Sequence, residues 1–334
     1  MPEPLVYIGY CAMVAIVVFL SIKLGKYVDV IDAKSNISGA FIGGIMLAAV
    51  TSLPELFTSL SAVWIVKEPS MVIGNILGSD LINLAFFGVI LLIFARGLKK
   101  ASFSKFYYVA LTVALGMYGL AALGLYLGEY LQLSWYTAVS PVILVLYILF
   151  VSKMPKTAEA EGGDDDCKLT LKQAVIRFSI CAVILIGASI CMTYLTDMVA
   201  DKLGLNGSFA GALFLGVATS LPELISSVTL CYRGNFNAAA GNIIGSNVFN
   251  FMILFVADVF SFMPGASNVY VLNTDSQWLL IFGAIATATT LFMFWLKNRQ
   301  KQTKGLLVGV EAVNVVSPVL YILYLLIACG IIIV

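Results

Sequence analysis

Polar residues are sparse along this chain and unevenly spread. Apolar runs of about twenty residues follow one another, separated by short polar stretches. Their length and continuity predict helices that cross a bilayer, because about twenty residues rising 1.5 Å each cover roughly 30 Å of hydrocarbon. Barrel strands would be shorter and would alternate. The pattern places helices at roughly 5–22, 38–66, 69–95, 105–127, 134–152, 173–197, 208–232, 236–262, 277–296 and 313–334. The expected fold class is an all-α integral membrane protein with about ten transmembrane helices.

Four of these runs carry polar residues in their interiors, and they carry them twice over. Thr51-Ser52-Leu53-Pro54-Glu55-Leu56 recurs as Thr219-Ser220-Leu221-Pro222-Glu223-Leu224, an offset of 168 from residue 51 to residue 219. Gly74-Asn75-Ile76-Leu77-Gly78-Ser79 recurs as Gly241-Asn242-Ile243-Ile244-Gly245-Ser246, an offset of 167 from residue 74 to residue 241. Between the halves lies residues 153–172, a polar stretch with Glu159, Glu161, Asp164, Asp165 and Asp166. The chain therefore divides into a first repeat, 1–152, an acidic linker, 153–172, and a second repeat, 173–334.

Charge gives the repeats a direction. On the ten-helix layout, every Lys and Arg of the nineteen except Lys67 and Lys202 falls on one side of the membrane. The positive-inside rule puts that side, and the acidic linker, in the cytoplasm, with both termini outside. Each repeat has five helices, an odd number, so the two halves run through the membrane in opposite senses and form an inverted repeat. The charged fraction is 11%, against about 25% in soluble domains, which agrees with the membrane class. No basic stretch precedes the first apolar run, so that run is expected to be a helix of the mature protein rather than a cleaved signal. There is no histidine, which excludes histidine proton shuttling and histidine metal ligation. Five of the six cysteines fall in apolar stretches without metal-ligand spacing, and no disulfide is expected.

Glu55 and Glu223 are the candidate centre of the chemistry. A carboxylate at the bilayer midplane is costly and is kept there for a function. Pro54 and Pro222 should each break their helices and free carbonyls near residues 48–51 and 216–219; simple kinks are the alternative. Two carboxylates neutralise one divalent ion, and hydroxyls with freed carbonyls complete an oxygen shell that suits Ca²⁺ better than the small octahedron of Mg²⁺. The alternative is a pair of protonated structural glutamates. Asn75, Ser79 and Asn83 form a polar stripe at i, i+4, i+8, and Asn242, Ser246 and Asn250 repeat it. Interhelical hydrogen bonding is the alternative role, most of all for Asn75 and Asn242. Gly74, Gly78, Gly241 and Gly245 have the small-xxx-small spacing that permits close helix approach. The runs Gly39–Gly44 and Gly207–Gly216 read as packing surfaces. Asp80 breaks the repeat, since its counterpart is Asn247. It is a third acidic ligand, a proton site or a partner for a polar group behind the site. Asp258 and Glu129 lie near helix ends and read as interfacial.

The doubled TSLPE and the doubled GNxxGS resemble the alpha repeats of the cation/Ca²⁺ exchanger superfamily, within it the sodium/calcium exchanger-like branch of prokaryotes. The matching segments are 39–59 with 74–83, and 207–227 with 241–250. The resemblance implies a secondary antiporter exchanging Ca²⁺ for Na⁺, with H⁺ as the counter-ion in some relatives and K⁺ co-transported in others. It implies Glu55 and Glu223 as Ca²⁺ ligands with the carbonyls of Thr51 and Thr219. Ser52, Ser220, Ser79 and Ser246 are implied as Na⁺ ligands, with backbone help from Ala48 and Gly216, and Asn83 and Asn250 as the polar pair beyond. Family members that need K⁺ carry Asp in that last pair, so two Asn residues argue against K⁺ dependence. The frequent Gly before TSLPE is here Val50 and Ala218, and Asp80 stands where Asn or a small residue is usual. The linker is too short for the regulatory domains of animal exchangers.

The lack of appended domains leads to the expectation of a prokaryotic plasma-membrane location. The expected partners are Ca²⁺, Na⁺ and the lipid bilayer, with no nucleic acid and a monomeric state. No cofactor and no enzyme activity are expected, since no ATP-binding, phosphoacceptor, HExxH or GxSxG motif occurs. A Ca²⁺/H⁺ antiporter, an exchanger of another cation and a passive cation channel are the rival readings.

Overall fold

The computed structural model describes residues 3–34, 50–98, 101, 103–131, 136–152, 169–261, 269–299 and 312–332. Every regular element among them is helical. In chain order they are α1 (Glu3–Lys34), α2 (Leu53–Ser61, continued by a π-helical turn over Ala62–Val66), α3 (Ser70–Ile93, followed by a separate four-residue helical turn, Ala95–Leu98), α4 (Phe106–Leu131) and α5 (Tyr136–Ser152). Then come α6 (Leu171–Leu203), α7 (Gly207–Tyr232), α8 (Phe236–Ser261), α9 (Thr274–Arg299) and α10 (Val316–Ala328). Seven helices among the described residues are long and apolar enough to cross a bilayer, and three shorter apolar stretches, Leu53–Val66, Val139–Ser152 and Ala312–Ala328, accompany them. Most of the linker and the Gly39–Gly44 run lie outside the described residues, as do residues 38–49 of the predicted 38–66 helix.

Burial ranks the helices. In its apolar window α3 is 78% buried and α8 67%, whereas α1 and α6 are each 22% buried. So α3 and α8 form the centre, and α1 and α6 lie at the periphery. The two peripheral helices run antiparallel along each other. Lys34, at the end of α1, donates to the carbonyl of Leu169 just before α6, while Gly9 near its start faces Leu195 near the end of α6.

The reversal between α6 and α7 is encoded locally. Gly204 takes a left-handed φ of 64°, which only glycine adopts without strain. Two residues on, the Asn206 side chain accepts from the amide of Phe209 and caps the next helix.

The predicted close approach of small residues is realised on α3. A Cβ on Gly74 would sit 2.0 Å from the carbonyl oxygen of Ser208, and one on Gly78 2.6 Å from Cα of Ala212. The start of α7 therefore lies backbone against backbone on α3. Gly241 meets the Tyr107 ring hydroxyl instead of a backbone. Five cysteines, Cys11, Cys181, Cys191, Cys231 and Cys329, are free thiols.

Candidate functional site

The two copies of the Pro-Glu motif fold differently. In the first, Ser52 departs from helical geometry (φ −91°, ψ 13°) and Pro54 lies in the first turn of α2, where its missing N–H leaves no bond unmade. The predicted break is present there. In the second, the break predicted at Pro222 is absent, and Pro222 sits inside a continuous α-helical stretch, Val217–Tyr232. The irregularity lies one step upstream, where Gly211–Gly216 is π-helical. This wide turn directly precedes the helical turn on which the Pro222 ring presses. The carbonyl of Gly216, at the end of that wide turn, accepts from Oγ of Ser79 at 3.3 Å.

Glu55 and Glu223 are both buried, 1% and 0% exposed, and close enough to interact electrostatically. Each is served by the other's motif. Ser52 Oγ donates to Glu223 Oε1 at 3.3 Å, and the Thr51 hydroxyl reaches the same carboxylate. In the reverse direction Thr219 reaches the carboxylate of Glu55. Ser246 Oγ, from α8, also donates to Glu223 Oε1 at 3.3 Å. Thus residues 168 positions apart in sequence meet as a crossed pair.

The amides of α3 and α8 divide into two roles. Asn75 donates to the carbonyl of Glu55 at 3.3 Å and to the hydroxyls of Thr58 and Ser59 at 3.0 Å each. Asn242 repeats this with the carbonyl of Glu223 at 3.2 Å and the hydroxyl of Ser227 at 3.0 Å. These two residues tie each glutamate-bearing helix to its neighbour, which is the interhelical role open to them. Further along, α3 and α8 meet each other. Asn83 Nδ2 donates to Asn247 Oδ1 at 3.0 Å, Asn247 Nδ2 to the carbonyl of Asp80 at 3.0 Å, and Asn250 Nδ2 to Asp80 Oδ1 at 2.9 Å. Residue numbers rise on one helix as they fall on the other, so the two cross antiparallel.

What remains unpaired is oxygen. Glu55 Oε2, Glu223 Oε2, Ser220 Oγ, Asn83 Oδ1, Asn242 Oδ1 and Asn250 Oδ1 are buried and make no hydrogen bond. A buried acceptor without a partner costs about 1–3 kcal/mol, more if charged. Six of them on the residues singled out from the motifs make an arrangement that a hard cation would relieve. Neither α3 nor α8 contains Lys, Arg or His, so no basic side chain on these central helices offsets the carboxylates.

Among the described residues no three of His, Cys, Asp and Glu are grouped as one metal cluster, although Asp80 lies close enough to Glu55 to interact with it electrostatically. Ala48 lies outside the described residues. Asp258, read as interfacial, is instead 1% exposed, with Ser140 within hydrogen-bonding range; its side of α8 is covered by protein. The Glu129 side chain lies outside the described residues. Thr58, Ser59, Ser227 and Tyr118 were missed. The first three follow each glutamate by three or four residues on the same helix face, a polar spacing that was legible. Tyr118, which donates to Asp80 Oδ2 at 3.4 Å, comes from α4 and belongs to no motif.

Comparison with known proteins gives the same grouping. The chain is 28% identical over 261 residues to an uncharacterized membrane protein of Methanocaldococcus jannaschii, covering 74% of this chain and 79% of that one. In fold it resembles the H⁺/Ca²⁺ exchanger CAX, with a TM-score of 0.70 at 14% identity, over 97% of this chain and 88% of that one. It also resembles the sodium-calcium exchanger NCX_Mj, with a TM-score of 0.59 at 21% identity, over 99% of each chain. The family described as sodium/calcium exchanger protein matches residues 5–153 and 173–330, nearly the whole length. The chain belongs to the sodium/calcium exchanger protein family.

Proposed function

We propose that this chain is a secondary antiporter that exchanges Ca²⁺ for Na⁺ across a membrane by alternating access. The observation that carries the reading is the crossed pair of buried glutamates, Glu55 and Glu223, each reached by hydroxyls of the opposite motif and each left with an unpartnered oxygen. Two anions buried together without a counter-charge are strongly unfavourable, and one divalent ion or a set of monovalent ions removes the cost. Ca²⁺ and Na⁺ then compete for the same carboxylates. The ligand set is Glu55 and Glu223, with the carbonyls of Thr51 and Thr219, Ser52, Ser220, Ser79 and Ser246, the backbone at Ala48 and Gly216, and the amide oxygens of Asn83 and Asn250.

Coupling follows from charge. A neutralised site can pass the barrier between the two faces, whereas an empty one holds two bare carboxylates in low dielectric and is held back. The carrier reorients loaded and waits when empty. Two five-helix repeats of opposite orientation, 1–152 and 173–334, joined by a cytoplasmic linker, 153–172, are the architecture this reading requires. The paired contacts 80 with 250 and 83 with 247, whose positions interchange under the 167-residue offset, support it. The protein works as a monomer in a plasma membrane with both termini outside.

A Ca²⁺/H⁺ antiporter is the second reading. It is favoured by a third fully buried carboxyl group, Asp80, and by the likeness to a protein named an H⁺/Ca²⁺ exchanger. Uptake of radiolabelled Ca²⁺ into proteoliposomes separates the two. Na⁺-loaded vesicles without a pH gradient should accumulate Ca²⁺. Uptake that answers only to an imposed pH gradient would make H⁺ the counter-ion, and uptake with neither gradient would make the protein a passive channel.

A further inference from the structure

The residue after each Gly-Ser pair is Asp80 in the first half and Asn247 in the second, both buried. Each holds the asparagine of the opposite copy by its nitrogen. Asn247 Oδ1 accepts from Asn83 Nδ2 at 3.0 Å, and Asp80 Oδ1 accepts from Asn250 Nδ2 at 2.9 Å. Asn247 is itself held by its Nδ2, which donates to the main-chain carbonyl of Asp80 at 3.0 Å. The result is that Asn83 Oδ1 and Asn250 Oδ1 are both left buried and unpaired.

This outcome is not automatic. A carboxamide can turn either its oxygen or its NH₂ toward a given partner, and a cation is served only by the oxygen. Something must decide which end faces the ion. At Asn250 that group is a carboxylate. Its Oδ1 faces the Asn250 amide, and its Oδ2 accepts from the Tyr118 hydroxyl at 3.4 Å. Both Asp80 oxygens act as acceptors, Oδ1 toward Asn250 and Oδ2 toward Tyr118, so Asn250 cannot reverse without setting oxygen against oxygen. Tyr118 is held from behind by Thr287 of α9, and a Cβ on Gly283 would lie 2.4 Å from its hydroxyl. The tyrosine is therefore fixed against Asp80.

We propose that Asp80 is a positioning residue. It fixes Asn250 directly and Asn83 through Asn247, so that both amide oxygens stay available to the transported cation while its own carboxylate stays out of the ion's shell. The inference rests on the cation-site reading above.

The test is a charge-conserving swap in the full chain, reconstituted into proteoliposomes, with half-saturating Ca²⁺ as the readout and Glu55→Gln as the reference for loss of an ion ligand. All substitutions are near-isosteric. Asp80→Asn keeps an acceptor oxygen for Asn250, just as Asn247 does for Asn83, and should raise half-saturating Ca²⁺ by no more than about threefold. Asn250→Asp alone sets two carboxylates against each other and should raise it by at least about tenfold. Asp80→Asn combined with Asn250→Asp restores a donor–acceptor contact and should return the value to that of Asp80→Asn. Two outcomes overturn the proposal. Asp80→Asn as inactive as Glu55→Gln would make Asp80 a ligand, and a double variant no better than Asn250→Asp would show that the two residues act independently. Normal transport by Glu55→Gln would instead remove the cation-site reading on which the inference stands.

Discussion

Ser52 and Ser246 donate to the same oxygen of Glu223, Oε1, from opposite halves of the chain, while Oε2 makes no hydrogen bond. One carboxylate oxygen is thus held by the protein, and the other is the one that would face a cation on the proposed reading. Glu223→Gln keeps the shape but removes the charge, and its NH₂ can face only acceptors. Ca²⁺ exchange should fall by at least about a hundredfold, the size expected when a charged buried partner is lost, with the variant still folded; normal uptake of radiolabelled Ca²⁺ would dismiss the assignment. Asn250→Ala removes a neutral oxygen and should cost about tenfold, and unchanged kinetics would assign Asn250 to packing. At this scale the sequence was most informative where a residue type is expensive. A glutamate within an apolar run announces itself, and the doubled frame pairs it with its partner. Thr58, Ser59 and Ser227 are cheap in a helix, because a hydroxyl can bond back to its own turn, as Thr58 does with the carbonyl of Pro54 at 2.8 Å. Their part in holding Asn75 and Asn242 emerges only when two helices are placed side by side.

Between elements, the close seat of α7 on α3 depends on a side chain that is missing. Replacing glycine by alanine inside a helix normally stabilises it by roughly 0.5–1 kcal/mol. At Gly74 the added carbon would lie 2.0 Å from the carbonyl of Ser208, which is backbone and cannot swing aside. Overpacking of this kind costs about 1–3 kcal/mol, so Gly74→Ala should lower the melting temperature of the detergent-solubilised protein. Gly187, exposed on α6 with nothing within 4 Å of an added Cβ, is the control, and Gly187→Ala should leave it unchanged or raise it. Equal behaviour of the two would mean that α7 does not press on α3. The four-residue spacing of Gly74 and Gly78 predicted a close approach but not its partner, since the same spacing at Gly241 receives a tyrosine. Pro54 and Pro222 carry the same lesson. Identical six-residue motifs give a helix start in one copy and a continuous helix, preceded by the π-helical stretch Gly211–Gly216, in the other.

Across the whole molecule, the proposed alternating access needs two bodies that move relative to each other, and we place their division between the buried and the exposed helices. α3 and α8 are enclosed, while α1 and α6 lie outside as an antiparallel pair. The pair was legible as a relation, through the opposed directions of the two halves, and the same reading set α1 and α6 against a core of α2, α3, α7 and α8; how little of each is buried was not legible, since apolar runs bound for lipid and for protein read alike. A bond joins α1 to α7. The Tyr10 hydroxyl of α1 donates to the carbonyl of Phe214 at 2.7 Å, and their rings meet edge to face with centroids 5.6 Å apart. That contact falls on the π-helical turn that ends at Gly216, the carbonyl that receives Ser79. If α1 slides across the core during transport, the contact must break and re-form in each cycle. Tyr10→Cys with Phe214→Cys, in a background whose native cysteines are replaced by serine, places two thiols within reach of a short bifunctional cross-linker. Cross-linking should stop Ca²⁺ uptake, and cleaving the linker with reductant should restore it, while each single-cysteine variant treated in the same way keeps its activity. Transport that continues through a complete cross-link would show that α1 and the core turn over as one body, and the moving parts would then have to be sought within α2 and α7 themselves.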